Sequence, residues 1–202
     1  MGGQTSKVDL ELLESGEIDF TSSAAVYVIG LVVAWLLPYS VPAIAMILAI
    51  DLAFGFSAVS RALNEPRAFR YGLYSVMAGV AAAFIVAYAV MPTLLATPLI
   101  HIDSVGVLKA LWSPAAAAYA AAVISGHFAR RAYEALSEAV APLSAEASSR
   151  FRDAARWFWL SSLLAAVVGL GMGTLVYGYE RLSCGFEALE ASLAQQTGSQ
   201  QP

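Results

Sequence analysis

The sequence predicts an all-α fold: a polytopic membrane helical bundle of about five transmembrane helices, with a cytoplasmic helical stalk and an amphipathic C-terminal helix. Three observations predict it. The 202 residues are 59% hydrophobic and only 13% charged, whereas about a quarter of the residues in a soluble domain are charged. Apolar runs long enough to cross about 30 Å of hydrocarbon as helices recur along the chain. The basic residues lie in two clusters between these runs.

The predicted transmembrane helices are five apolar runs, at 20–37, 41–60, 71–91, 105–128 and 157–177. Two prolines, Pro38 and Pro42, confine the reversal between the first two runs to about five residues, because proline disfavours helix before it. The short first run leaves a re-entrant hairpin open, although a true crossing is preferred. The chain then divides into a polar N-terminal segment 1–19, a bundle 20–178 and a tail 179–202.

The two basic clusters predict how the bundle is oriented. Arg61, Arg67 and Arg70 form the first cluster, and the second lies in the connection 129–156. Cytoplasmic loops retain Lys and Arg, and two runs separate the clusters, so both connections fall on one side. Threading the five runs from there predicts a multi-pass protein of the cell membrane with a cytoplasmic N-terminus and an external C-terminus.

The connection 129–156 is predicted to form a helical stalk. Tyr133, Leu136, Val140 and Leu143 recur at helical spacing, and Ser144 is placed to cap a second helix. The arginines of this connection are expected to contact lipid headgroups, since juxtamembrane basic side chains are attracted to anionic lipid. They are Arg130, Arg131, Arg150, Arg152 and Arg156.

The tail carries an apolar stripe with heptad spacing, which we call the tail stripe. It consists of Leu175, Tyr179, Leu182, Phe186, Leu189 and Leu193. Such a stripe must be buried, and two partners stay open: the chain's own bundle, or the same helix in a second copy. The stripe is therefore a predicted self-association surface, preceded by a small-xxx-small pair at Gly169 and Gly173.

Asp51 is the main candidate for transport chemistry. It stands near the middle of the run 41–60, where an ionised carboxylate is costly unless it is paired or hydrated. Arg61, the next basic residue on that helix, lies about 15 Å further along the axis. A partner for Asp51 must therefore come from another helix. The alternative to a transport role is a protonated Asp51 that forms a hydrogen bond across a helix interface. Expected partners are Tyr74, Ser75, Ser113 and Tyr119.

Composition and motifs predict no enzyme, no cofactor and no metal site. The chain lacks a phosphate-binding glycine loop, a nucleophile elbow and a zinc-binding His motif, and its lone Cys184 has no disulfide partner. His101 and His127 are expected about a membrane thickness apart, which argues against paired haem ligation. A net charge of −4 disfavours nucleic acid.

These observations predict an integral membrane protein of unknown activity. A non-catalytic structural or accessory component is preferred, and a small transporter or channel using Asp51 is the alternative. Expected partners are membrane lipids and either a second copy of the chain or another membrane protein.

Short motifs around the basic clusters carry a family resemblance. Residues 63–74 read LNEPRAFRYGLY, residues 124–138 read ISGHFARRAYEALSE, and Phe151-Arg152 precedes the last run. Over about 21–178 the chain resembles an archaeal multispan membrane family catalogued as domain of unknown function 996. It departs from that family at the insert APLSAEASS and in its amphipathic tail. The resemblance implies an archaeal cell membrane and no known activity.

Overall fold

The structure is a computed structural model that describes residues 8–92, 104–165 and 168–198. Within these ranges the chain is α-helical and contains no β-strand, so the predicted all-α class is confirmed. A 3₁₀ turn, Pro38–Ser40, joins the first two helices, and a π-helical segment, Val86–Val90, prolongs the third. The described helices are α1 (Leu10–Leu36), α2 (Val41–Ala62), α3 (Pro66–Ile85), α4 (Ser104–Val140), α5 (Ala145–Leu163) and α6 (Val168–Gly198).

Local side-chain chemistry sets several helix ends. The Asp9 carboxylate accepts a hydrogen bond from the backbone N–H of Leu12 and begins α1. Ser144 Oγ accepts from the N–H of Ala147 at 3.2 Å, so the predicted cap of α5 is confirmed. Such caps satisfy N–H groups that have no partner within the helix. Between α2 and α3, Asn64 takes a positive φ of 52°, which makes the tight turn.

Each helix packs antiparallel against the next, and α1 returns to contact α6. The ring of six described helices is therefore closed by its first and last members. Contacts that place neighbouring helices are Phe20 with Phe56, Gly72 with Phe56, Ser75 with Ser125, Ser137 with Ser148, Phe151 with Phe186, and Phe20 with Phe186.

The run 157–177 is not one helix, so the prediction of a single fifth crossing is wrong. Helix α5 ends at Leu163 and α6 begins at Val168, and the rings of Trp157 and Tyr177 meet at 4.7 Å between centroids. The apolar arms from Trp157 to Leu163 and from Val168 to Tyr177 are about 9 and 14 Å long. The reversal is favoured because it lays the tail stripe along α5 and α1, whereas one straight helix would carry the stripe away from them.

This reversal brings the two ends of the described chain together. Leu10 and Glu14 of α1 share one surface depression with Glu190 and Leu193 of α6. The predicted separation of the termini onto opposite sides is therefore wrong for the described helix ends. A cytoplasmic N-terminus and an external C-terminus would need an odd number of crossings, which this arrangement contradicts.

Burial divides the bundle into two zones. The packed core lies at the end where the basic clusters and both ends of the described chain lie, which we call the basic end. Arg67 Nη2 reaches Glu138 Oε2 at 3.1 Å there, which joins the α2–α3 turn to the stalk, as the predicted common side requires. The other half exposes many large apolar side chains, among them Val28, Ile29, Val32, Leu36, Met46, Ile47, Ile50, Phe54, Met77, Tyr88 and Trp112.

Two described helical segments are long and apolar enough to cross a membrane by length and composition. They are Val41–Ala62 and Pro66–Val90, and only 22% and 17% of their apolar windows are buried within the protein. The core helix of a soluble protein would be mostly buried instead. Exposed apolar surface of this extent is typical of surfaces that contact a membrane or another protein.

Candidate functional site

A cavity lies at the centre of the bundle and touches all six described helices. It has a volume of about 380 Å³, which is within the usual range of ligand cavities, roughly 300–1,000 Å³. Helix α1 contributes Tyr27, and α6 contributes Leu175 and Tyr179. We call this space the central cavity.

An aromatic layer closes the central cavity toward the basic end. Tyr133 stacks on Phe158 with ring centroids 4.8 Å apart, and Phe158 meets Tyr179 edge-on at 5.0 Å. Phe56 lies 5.4 Å from Tyr133 and 5.0 Å from Phe20. Offset and edge-to-face rings of this kind pack densely, so this layer separates the cavity from the charged surface.

Hydroxyl groups are the polar part of the cavity wall, and its serines are already bonded within the protein. Ser161 donates to the Phe158 carbonyl and Ser162 to the Trp159 carbonyl. Ser125 donates to the Ser75 carbonyl at 2.8 Å. The other hydroxyl groups that line the cavity belong to tyrosines.

Those tyrosines are Tyr27, Tyr133 and Tyr179. None of the three makes a hydrogen bond to another residue in the described part of the chain, although Tyr133 is only 2% exposed. A phenolic hydroxyl both donates and accepts, and no buried side-chain oxygen in the described part of the chain lacks a partner, so these three hydroxyls open onto the cavity space. The cavity therefore offers unused hydrogen-bonding groups next to its aromatic floor.

A half-open groove of about 360 Å³ continues from the central cavity between α2 and α3. Tyr27, Ser75 and Gly79 line both spaces. The groove follows α2 from Leu52 to Val41, which is about 16 Å of helix. Its wall beyond the shared hydroxyls is aliphatic, so the two spaces form one elongated site with a polar inner end.

Asp51 lies away from this site, among residues of α1. Its Oδ2 accepts a hydrogen bond from Ser22 Oγ at 3.2 Å, and it lines neither the cavity nor the groove. Asp19 is the neighbouring carboxyl, and Ser22 Oγ also donates to the Asp19 backbone carbonyl at 3.0 Å. Asp51 thus has a serine partner across the α1–α2 interface. This arrangement resembles the alternative that the sequence left open, in which Asp51 forms a hydrogen bond across a helix interface.

Three of the four partners expected for Asp51 make other contacts. Tyr74 packs on Phe128, and Ser75 bonds Ser125. Tyr119 donates to the carbonyl of Leu163 at 2.9 Å, which satisfies a carbonyl at the end of α5. Ser113 is exposed.

Four acidic side chains line the contact between α1 and α6: Glu14, Glu17, Glu187 and Glu190. The pKa of Glu17 is raised from 4.5 to about 7, chiefly because burial disfavours its charged form and then because Glu190 lies beside it as a charge and hydrogen-bond partner. Glu187 and Glu14 raise it further. A protonated Glu17 can donate to Glu190, whereas two carboxylates repel each other.

We expect the melting temperature in mild detergent to fall as the pH rises from about 5 to 8. A raised native pKa means that the folded state binds the proton more tightly. The stability from protonated Glu17 is therefore fully present below 4.5 and is lost as the pH passes about 7. Glu17→Gln keeps a neutral hydrogen-bond donor and should flatten this slope, whereas Glu11→Gln, on an exposed part of α1, should not. An unchanged slope in Glu17→Gln would contradict the assignment.

The predicted lipid-contacting arginines all lie on α4 and α5 at the basic end, and several pair with acids of their own helix. Arg130 Nε contacts Glu134 at 2.7 Å, and Arg150 contacts Glu146 at 3.5 Å. Arg131 and Arg156 lie 3.7 Å from Glu134 and Asp153. Exposed pairs of this kind are weak, so the arginines stay accessible. Their contact with lipid headgroups remains a prediction, and so does that of exposed Arg152.

The tail stripe is buried within the chain itself, so the structure does not present it as a self-association surface. Leu182, Phe186 and Leu189 are at most 1% exposed, and Leu175, Tyr179 and Leu193 pack around the same core. Phe186 contacts Phe20 of α1 and Phe151 of α5. A Cβ added at Gly173 would meet nothing within 4 Å, so the predicted small-residue contact is not formed there.

No metal-binding group of three or more His, Cys, Asp or Glu side chains occurs in the described part of the chain. His127 is exposed and packs edge-on against Phe128 and Trp159. Cys184 is a half-buried free thiol. His101 lies outside the described residues.

The central cavity was not predicted from the sequence. The sequence feature that accompanies the cavity is the i,i+4 spacing of small residues that line it, Ser75 with Gly79 and Ala122 with Gly126. In an apolar helix such spacing equally predicts close helix packing, which it also provides here. Comparisons with protein-family models, curated proteins and solved structures give no match. The archaeal family resemblance therefore remains a prediction.

Proposed function

We propose that this chain is a multi-pass integral membrane protein, a non-catalytic structural or accessory component that holds a hydrophobic molecule in its central cavity. The observation that carries the proposal is the groove between α2 and α3. It joins the cavity to the apolar half of the bundle and not to the basic end. A site reached from an apolar surface suits a ligand that is itself dissolved in the membrane.

The helix lengths support four crossings and one re-entrant hairpin. Helices α1 to α4 extend through the apolar half, whereas the apolar arms of α5 and α6 are only about 9 and 14 Å long, measured from Trp157 and Tyr177. That distance is short of the roughly 30 Å of hydrocarbon. Backbone that turns at membrane depth must be satisfied by protein, and the bond from Tyr119 to the Leu163 carbonyl does this. Both termini then lie in the cytoplasm with the arginines.

Accessibility labelling tests this topology. In a Cys184→Ser background, Glu11→Cys and Gln195→Cys should react from the same membrane face and Tyr39→Cys from the opposite face. All three positions are exposed, so a failure to react reflects topology. Labelling of the first two from opposite faces would contradict the hairpin. Release of the protein from membranes at alkaline pH would contradict the membrane proposal as a whole.

The alternative of a transporter that uses Asp51 has its own test. Because Asp51 bonds Ser22 and does not line the cavity, Asp51→Asn should leave the ion permeability of reconstituted liposomes unchanged. A proton or cation flux that disappears in Asp51→Asn would replace the accessory role with transport.

A further inference from the structure

The wall of the site determines which charge its ligand carries. No Asp, Glu, Lys, Arg or His occurs among the described residues that line the central cavity or the groove. An ionised head group placed there would lose its hydration without gaining a counter-charge, which is costly. The ligand that fits is neutral.

The tyrosine hydroxyls determine the polar group of that ligand. Tyr133, Tyr179 and Tyr27 have no hydrogen-bond partner in the described part of the chain. The cavity serines are bonded: Ser125, Ser161 and Ser162 donate to backbone carbonyls, and the Ser75 hydroxyl pairs with that of Ser125. Three free O–H donors call for an acceptor, and a carbonyl oxygen has two lone pairs that take two of them. A pure hydrocarbon would leave these donors unsatisfied.

The shape of the site determines the body of the ligand. The groove runs for about 16 Å along α2 and is lined by aliphatic residues such as Ile44, Leu48 and Val80. The polar end of the site lies toward the basic end, and the groove leads away from it. This is the orientation of a lipid in the leaflet next to the basic end, with its head near the interface and its chain in the hydrocarbon.

We propose that the site binds one neutral single-chain lipid with a carbonyl oxygen in its head, the carbonyl at Tyr133 and Tyr179 and the chain in the α2–α3 groove. This rests on the proposed membrane function. The lipid enters sideways between α2 and α3 without turning over, because its orientation in the leaflet already matches that of the site.

A matched pair of probes tests the carbonyl. Glyceryl monooleate and glyceryl oleyl ether have the same chain and the same glycerol head, and only the ester carries a carbonyl. In native mass spectrometry of the detergent-solubilised protein, we expect one ester molecule to be retained. The ether should bind roughly fivefold to a hundredfold more weakly, the effect of losing two hydrogen bonds. Oleate, which is charged, should bind more weakly than the ester.

Variants locate the binding. Tyr133→Phe combined with Tyr179→Phe removes two hydroxyls and keeps the rings, so the ester and the ether should then bind equally. Tyr39→Phe combined with Tyr88→Phe makes the same change at exposed positions outside the site and should preserve the difference. Ala82→Leu adds volume inside the cavity and should reduce retention of both probes.

Equal retention of ester and ether by the unmodified protein would overturn the proposal, as would preference for the ester in the variant without the two hydroxyls. So would retention of no probe by protein that is folded and membrane-extracted, an outcome that leaves the membrane topology standing. The topology fails separately, through labelling or alkaline extraction. The two failures are thus distinguishable.

Discussion

Replacing both Leu182 and Leu189 with glutamate is expected to unfold the basic end of the bundle. Both side chains are at most 1% exposed and belong to the core to which all six described helices contribute. Removal of a buried leucine costs about 2–5 kcal/mol, and an unpaired charge in its place adds several kcal/mol more. The usual free energy of unfolding of a domain is about 5–15 kcal/mol. The summed cost of the two substitutions exceeds the lower end of that range.

Melting temperature and elution volume in mild detergent measure this effect. Ala191→Glu combined with Gln195→Glu places two glutamates on exposed positions of the same helix, and this control should melt within a few degrees of the unmodified protein. A double leucine variant that keeps its melting temperature but elutes as a smaller species would show instead that the stripe joins two copies. No change in either quantity would mean that the stripe packs against nothing.

The stalk could be predicted from the sequence because its signals are local. Tyr133, Leu136 and Val140 repeat at helical spacing within one segment, and each is buried on one helix face. The cap at Ser144 needs only a side chain and a backbone group three residues away. Such features depend on neighbours along the chain, so the order of residues already contains them.

The reversal within 157–177 could not be predicted in the same way. A run of this length and polarity fits one crossing as well as two short arms, because hydropathy measures apolar length and not direction. The decision lies in a long-range contact, the burial of Phe186 against Phe20 and Phe151. The tail stripe was recognised, but its partner could be chosen only from the tertiary arrangement.

The candidate site was harder still to predict from the sequence, because it consists of space between helices. Tyr27, Tyr133 and Tyr179 stand on α1, α4 and α6, far apart in the chain, and nothing local marks them as neighbours. For Asp51, the sequence correctly required a partner from another helix. The four residues considered lay on later helices, and Ser22 of α1 was not among them.

Close contact between α4 and α5 depends on Gly126, so Gly126→Leu is expected to separate these helices. A Cβ added at Gly126 would overlap both Cβ and Oγ of Ser162. Ser162 cannot easily turn away, because its Cβ is fixed by the backbone and its hydroxyl bonds the Trp159 carbonyl. Overpacking of this kind costs about 1–3 kcal/mol, occasionally more. Gly126→Ala should already lower the melting temperature, and Gly126→Leu should lower it further.

Gly173→Ala is the matched control, because a Cβ there meets nothing within 4 Å. Alanine favours a helix interior over glycine by about 1 kcal/mol, so this change should be neutral or stabilising. Ser162→Gly removes the atoms that the new Cβ would strike and should restore part of the stability lost in Gly126→Ala, a coupling expected only for residues in contact. If Gly126→Ala melts like Gly173→Ala, then α4 and α5 do not approach at Gly126. The central cavity, which both helices line there, would then be wider than described.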